Sequence, residues 1–470
     1  MDITQVAAIR EDMERMEAHK LQPHFIEAFF LEALQNLGGR FRQREKGRYE
    51  ITFVPYSIRN QNIQTSFCEP VLQRYERVCF EKGLCNIQGQ TPATLIAPGH
   101  PLLEAIICLI LERNTGVLRY GAVFIDEISN GSDARLLFYL ESSVQDGIVV
   151  SSGKKRVVSK QIHFVEIDES GLASNAGYAP YLDYRAASPD ELIAMRGFLE
   201  SQWLRSDIDD IAIGYAISQI VPSHVLEVRE RKTKLIDKTI KAVKERLTAE
   251  IQHWDFKAAE LKMKEATGKT NAKINSQLAT RRAEELEARL QKRIAELEAE
   301  RLISAMPPVV IGGAIVIPRG LLDKLTGRSN AIIVDALARR EIEIAAMKAV
   351  MDIEISLGNT PTDVSAKKVG YDIESLIPLD KRGNDGAPLR FIEIKGRVKG
   401  AGTVTVSKNE ILTAFNKPDG YILAIVEVDG VETNTTYLTK PFQKPPDFAA
   451  TSVNYSIDEL IDSSEILLKR

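Results

Sequence analysis

The chain has 470 residues, 44% hydrophobic and 27% charged, with a formal net charge of −4. That length exceeds what one core organises and implies roughly two to four domains. The slight acidity excludes a uniformly basic coat for nucleic acid, yet leaves room for a local basic groove, because phosphate responds to the local field.

No uninterrupted apolar run approaches the roughly 20 residues that span a bilayer, and no charged-then-apolar leader opens the chain. Cys68, Cys79, Cys85 and Cys108 have spacings that suggest neither a metal-binding pair nor a disulfide framework. A reduced, cytoplasmic protein without membrane contact is expected.

In chain order, residues 1–222 read as a mixed α+β domain. Helical periodicity covers 2–20 and 23–37, and the second run stops at Gly38-Gly39. A third apolar helix follows Pro101 through Leu103, Ile106, Ile107, Leu109 and Leu111. Strand-like runs at 122–125, 136–140, 148–150 and 161–167 are separated by Gly, Asn, Asp and Ser turns. Residues 189–220 return to helix.

From 223 to 305 apolar residues recur every three or four positions among dense Lys, Glu and Arg: Ile236, Ile240, Val243, Leu247, Ile251, Trp254, Ala258 and Leu261, then Leu286, Leu290, Ile294 and Leu297. This predicts a coiled-coil arm, folded back near Thr267-Gly268 or closed on a second copy as a homodimer. Alternating acids and bases argue against a basic helix tracking DNA. After Pro307-Pro308, residues 306–330 read as a β-hairpin linker turning at Gly312-Gly313.

Residues 331–470 form a separate α/β unit. A helix at 335–357 stops at Gly358-Asn359, and strands follow at 362–365, 371–375 and 391–397. Ser407 and Glu410 form a capping box for a second helix. Residues 421–428 are an apolar strand, giving the order α-β-β-β-α-β.

Two nucleotide-binding patterns fail on inspection. Gly268-Lys269-Thr270 resembles the end of a phosphate loop, but position 263 is Met and no strand precedes it. Val123-Phe124-Ile125-Asp126-Glu127 looks like the acidic box of an ATPase, with no phosphate loop to serve. The six histidines are scattered, so a zinc hydrolase is not expected; His100 and His253 read as capping or packing residues.

The C-terminal carboxylates carry the chemistry. Glu393 and Lys395 share one strand face because side chains two apart do so. Asp372 joins them if its strand pairs with theirs as a hairpin. A lone Glu-x-Lys decorates many solvated strands, but these strands also carry the apolar residues of a buried face. Asp372 and Glu393, with the Ile394 carbonyl, would bind Mg²⁺ or Mn²⁺ as oxygen ligands. Lys395 would orient the attacking water on a scissile DNA phosphate. Glu343, on the preceding helix, is the candidate third acid. Arg397 and Lys399, with Lys408, would form a basic rail for the nucleic acid, against the alternative of a charged edge that discourages aggregation.

The segments 342–347, Asp363-Val364-Ser365, 370–375, 391–397 and 403–429 together resemble the NO VEIN C-terminal domain of the PD-(D/E)XK nuclease-like superfamily. The rest, notably 29–44 with Tyr49-Glu50-Ile51, Trp254-Asp255 and 307–318, is similar to the post-motor half of bacterial Swi/Snf-like helicases of the HepA/RapA type. Those proteins occur in phage-defence loci, including DISARM-like systems. The resemblance implies a metal-dependent DNA endonuclease module, alternatively a non-catalytic DNA-binding accessory that docks on a separate helicase motor. The motor itself is missing here, and Gly370-Tyr371-Asp372 stands where the family name has Pro-Asp.

Overall fold

The computed structural model describes all residues except 1–2, 19–22, 62–69, 151–152, 206–207, 267–271, 328–331, 383–386, 431 and 447–449. Cys68 and the expected turn at Thr267-Gly268 lie outside the described residues. The chain divides into two compact units: Met1–Leu137 with Glu166–Arg205 and Gly312–Arg470, and Phe138–Val165 with Ser206–Ile311.

The first unit opens with helices α1 (Ile3–Ala18) and α2 (Pro23–Asn36). Gly38, at φ +89°, ends α2 in the left-handed conformation that glycine tolerates. Strands β1 (Arg40–Glu45), β2 (Arg48–Phe53), β3 (Tyr75–Cys79) and β4 (Thr94–Leu95) form a sheet in that order, so β1 is an edge. Its inner face and α2 bury Phe30, Leu34, Ile51 and Val78 against Leu102 and Ile106 of α3 (Pro101–Tyr120). His100 caps α3, its Nδ1 accepting the Leu102 N–H at 3.2 Å. A thiol pair that spacing did not suggest is close in space: the Cys79 and Cys85 sulfurs are 3.6 Å apart.

Strand β5 (Ala122–Asp126) pairs antiparallel with β6 (Arg185–Ala186) and parallel with β7 (Val309–Pro318). The expected hairpin at Gly312-Gly313 is instead this one continuous strand. A parallel partner satisfies its ladder, so no reversal is required. The run from Ala314 to Pro318 is buried throughout, as parallel strands covered on both faces are. Asp126, the false ATPase acid, accepts the N–H groups of Ile128 and Ser129 and pairs with Arg135 at 2.7 Å. Glu127 pairs with Arg185 and Arg319.

The C-terminal part of this unit begins with α4 (Ile332–Ser356). There follow β8 (Thr360–Asp363), β9 (Ile373–Leu376), β10 (Leu389–Val398), β11 (Thr403–Ser407), α5 (Lys408–Asn416), β12 (Tyr421–Asp429), β13 (Glu432–Thr439), β14 (Ser452–Ser456), α6 (Ile457–Ser463) and β15 (Glu465–Lys469). The main sheet has the order β8-β9-β10-β12-β13-β15, while β11 and β14 pair separately. The structure therefore holds one more strand than expected between β10 and α5. β10 and β12 are parallel and the other pairs antiparallel. One face buries Ile373, Ile392, Ile422, Ala424 and Val426 against Ala346, Val350 and Ile353 of α4. The opposite face buries Phe391, Tyr421, Leu423 and Ile425 with Ile411 and Ala414 of α5.

The short strands expected at 136–140 and 148–150 merge into one, Arg135–Val149, which neighbours Lys155–Asp168. The helix expected over 189–220 is broken into Pro189–Ala194, Arg196–Leu199 and the start of a long helix, Ile208–Ala266, with a π turn at Ala216–Ile220. A second helix, Ala272–Arg301, packs on it by burying Leu247, Leu286 and Leu290 among Val243, Ile251, Trp254 and Ile294. Unlike the reading from uninterrupted runs, Ile208–Ala266 is long and apolar enough to cross a membrane by length and composition. Core helices of soluble folds share that property, and His224 within it is buried, hydrogen-bonded to Ser142 and Ser159.

Candidate functional site

Alternation along β10 decides which residues meet. Ile392 and Ile394 turn toward α4, so Glu393 and Lys395 turn the other way, toward α5. Gly396 continues the α4 side: a Cβ there would lie 3.0 Å from the Ala346 Cβ, so its absence lets α4 close on the strand. Glu393 is only 5% exposed. The Lys395 Nζ lies 2.8 Å from Glu393 Oε1 and 2.7 Å from Glu410 Oε2.

Glu410 comes from the first turn of α5, where Ser407 Oγ accepts the Glu410 N–H at 3.4 Å and Glu410 Oε2 accepts the Ser407 N–H at 3.0 Å. One carboxylate thus caps the helix and holds the buried ammonium.

Asp372 immediately precedes β9. Its backbone N–H donates to the Ile392 carbonyl at 2.9 Å, and its Oδ2 accepts the Ile394 N–H at 2.9 Å. Here a side chain takes the place of the backbone acceptor that a continuing β9 ladder would supply. The Ile394 N–H thus fixes the Asp372 carboxylate beside β10. Gly370 (φ +84°) brings the chain into this position. A Cβ there would lie 2.5 Å from Thr413 Oγ1 of α5.

The electrostatics follow from three carboxylates facing one ammonium in a dry place. Burial, then repulsion from Glu410 and Asp363, pushes Asp372 up to about 6, against the Ile394 N–H and Lys395. Burial and the neighbouring Asp372 and Glu410 carry Glu393 well above the usual carboxylate range. Burial works against the Lys395 charge, but Glu393 and Glu410 outweigh it and hold that ammonium protonated. With every acid ionised the cluster carries an excess of two negative charges, which a divalent cation or bound protons would relieve.

Sequence reasoning passed over two groups here. Glu410 was fully explained by its capping box. Tyr421 was read as one apolar residue of a buried strand. Its hydroxyl is buried without a hydrogen-bond partner among the described residues. Burial and the charges of Glu393, Glu410 and Asp372 keep it un-ionised.

Other expected members fall elsewhere. Glu343 is exposed on α4, the helix that covers the opposite sheet face, so it does not complete the cluster. Lys408 does not extend a basic rail. It is 3% exposed, with its Nζ 4.9 Å from the centre of the Phe25 ring, and burial lowers its pKa. Arg397 lies at the end of β10 and bonds the Gly396 carbonyl at 2.8 Å. Lys399 lies beyond the strand, in the following turn, and pairs with Asp429 at 2.8 Å.

Among the described residues no group of three or more His, Cys, Asp or Glu side chains is arranged to hold a metal ion. Asp372 and Glu393 nevertheless offer oxygen donors and surplus negative charge, which suit a hard divalent ion completing its shell with water or phosphate oxygens.

Residues 342–438 match the family Protein NO VEIN, C-terminal. The matched NO VEIN segment runs from within α4 to β13 and contains Asp372, Glu393, Lys395, Glu410 and Tyr421. No curated protein matches the chain.

Proposed function

We propose that the NO VEIN C-terminal domain of this chain is a Mg²⁺- or Mn²⁺-dependent DNA endonuclease module of the PD-(D/E)XK type. The observation that carries this reading is the buried cluster in which Glu393 and Glu410 pair with Lys395 and Asp372 lies within reach of its charge. Asp372 and Glu393 would hold the ion. When bound, it supplies Lewis-acid stabilisation of phosphoryl charge and a more acidic water. Lys395, kept protonated by Glu393 and Glu410, orients the water and offsets charge on the phosphate. Glu410 holds Lys395 in place from α5. The sequence resemblance to post-motor helicase segments supports a separate helicase motor as partner and a role in defence against foreign DNA.

The burial of Glu393 and its ion pair with Lys395 favour a second reading, in which the domain binds DNA beside a helicase motor without cutting it. Supercoiled plasmid incubated with Mg²⁺ or Mn²⁺ separates the two. The wild type is expected to nick it, and Asp372→Ala, Lys395→Ala and Glu410→Gln each to lose at least about 100-fold in rate, in the range for groups acting on transition-state charge. Cleavage surviving Asp372→Ala and Lys395→Ala rejects the assignment. DNA binding without cleavage in the wild type selects the second reading.

A further inference from the structure

We propose that the outer face of β1, with Arg40, Arg42, Arg44 and the exposed rings of Phe53 and Tyr56, is a binding track for single-stranded DNA. Along β1 the partly buried Phe41 packs on the core, and Arg40, Arg42 and Arg44 are all exposed. A register irregularity lies between Gln43 and Glu45, and Arg44 meets the face of Arg42 through Glu50, the residue opposite Arg42. Alternate positions on a strand repeat every 6.6 Å or so, close to the interval at which an extended nucleic-acid strand repeats its phosphates. Arg44 pairs with Glu50. Arg40 and Arg42 have no ion pair or side-chain hydrogen bond among the described residues. Guanidinium is the cation best matched to phosphate oxygens.

The aromatic groups come from a local irregularity. A shift of register at Arg40/Phe41 places Phe53 opposite Arg40, away from the core row of Tyr49 and Ile51. Phe53 is 38% exposed and Tyr56, in the next turn, 68%. The Arg59 guanidinium lies 5.7 Å from the centre of the Tyr56 ring. A bland account makes the arginines guards of a sheet edge. Guarding explains the charge but not two exposed rings beside it, which would promote self-association. Arginines that follow a backbone and rings that stack unpaired bases are together what a single strand recognises.

The choice of DNA over RNA rests on the reading of the C-terminal site, and the experiment keeps the two separable. Anisotropy of fluorescein-labelled dT20, rU20 and a 20-bp duplex is measured with the full chain, without divalent ions, across 50–200 mM salt. The wild type is expected to bind dT20 best. Arg40→Glu/Arg42→Glu should weaken binding at least tenfold and reduce the salt slope by about 1.4, or roughly 0.7 for each lost phosphate contact. Phe53→Ala/Tyr56→Ala should weaken it at least about fivefold with an unchanged slope. Arg40→Gln/Arg42→Gln, checked for an unchanged unfolding midpoint, guards against misfolding. In an Asp372→Ala/Lys395→Ala background, which removes the C-terminal site's own share of binding, the arginine substitutions should still weaken dT20 binding at least tenfold, and no further loss there overturns the track. Wild-type affinity and slope in a folded arginine variant overturn the track, as does tighter binding of rU20 or duplex.

Discussion

Lys395 is held between two carboxylates with little access to water, which makes it the residue on which the site depends most. Replacing it with methionine leaves Glu393 buried without a counter-charge, a change of a kind that costs about 3–5 kcal/mol. The companion double substitution, Lys395→Met with Glu393→Gln, removes the stranded charge and should recover more than half of that loss in urea unfolding. Equal loss in the single and double variants would show that the pair contributes packing and not charge balance. Glu393 and Lys395 were legible because strand alternation is a local rule. The choice of Glu343 failed because its periodicity reveals that α4 has an apolar face but not which side of the sheet that face covers. Glu410 was hidden by a sufficient local explanation, and Tyr421 by the apolar company it keeps on β12.

At the scale of elements, the start of α5 gathers the most long-range chemistry. Its capping box was legible from Ser407 and Glu410 alone, three residues apart. Asp183 was not, since it reaches the same turn from 226 residues away, accepting the Asn409 N–H at 3.0 Å. Burial, and then the charge of Glu410, pushes Asp183 from 3.8 up to about 7, against hydrogen bonds from Asn409 and Ser407. Its folded pKa is raised, so between pH 4 and 7 the fold keeps a proton that the unfolded chain has released, and stability falls as pH rises. Asp183→Asn lacks this titration. Its stability relative to the wild type should grow from pH 4.5 to 7.5 by the order of 1–4 kcal/mol, then level off. Urea unfolding at three pH values checks this, and a difference that does not change with pH refutes it. The misread hairpin at β7 has a similar origin. Gly312-Gly313 is a good turn signal, yet the chain runs extended through it into the residues that pair with the distant β5.

For the whole molecule, two compact units predict two heat-absorption peaks. Leu286→Ala, in the buried seam between the two long helices, should lower one midpoint, and Ile422→Ala, between β12 and α4, the other. Each removes a buried side chain at a cost of about 2–5 kcal/mol. If either substitution moves both peaks equally, the units unfold as one. Chain length implied more than one domain. It could not foretell that the first is assembled from three separated stretches, because such assembly depends on pairings invisible to any local window.

The parallel pairing of β5 with β7 sets a schedule for the ribosome. Ala122 meets Ala314, so at the usual 5–20 residues per second the partner strand emerges on the order of 10–40 s after β5 does. Throughout that interval the nascent chain carries an apolar strand with the β7 side of its ladder unfilled. Slow codons or an early stop between the two strands would leave that strand open to trigger-type chaperones or to a neighbouring nascent chain. Yield during synthesis should therefore depend on elongation rate more steeply than the stability of the finished protein suggests.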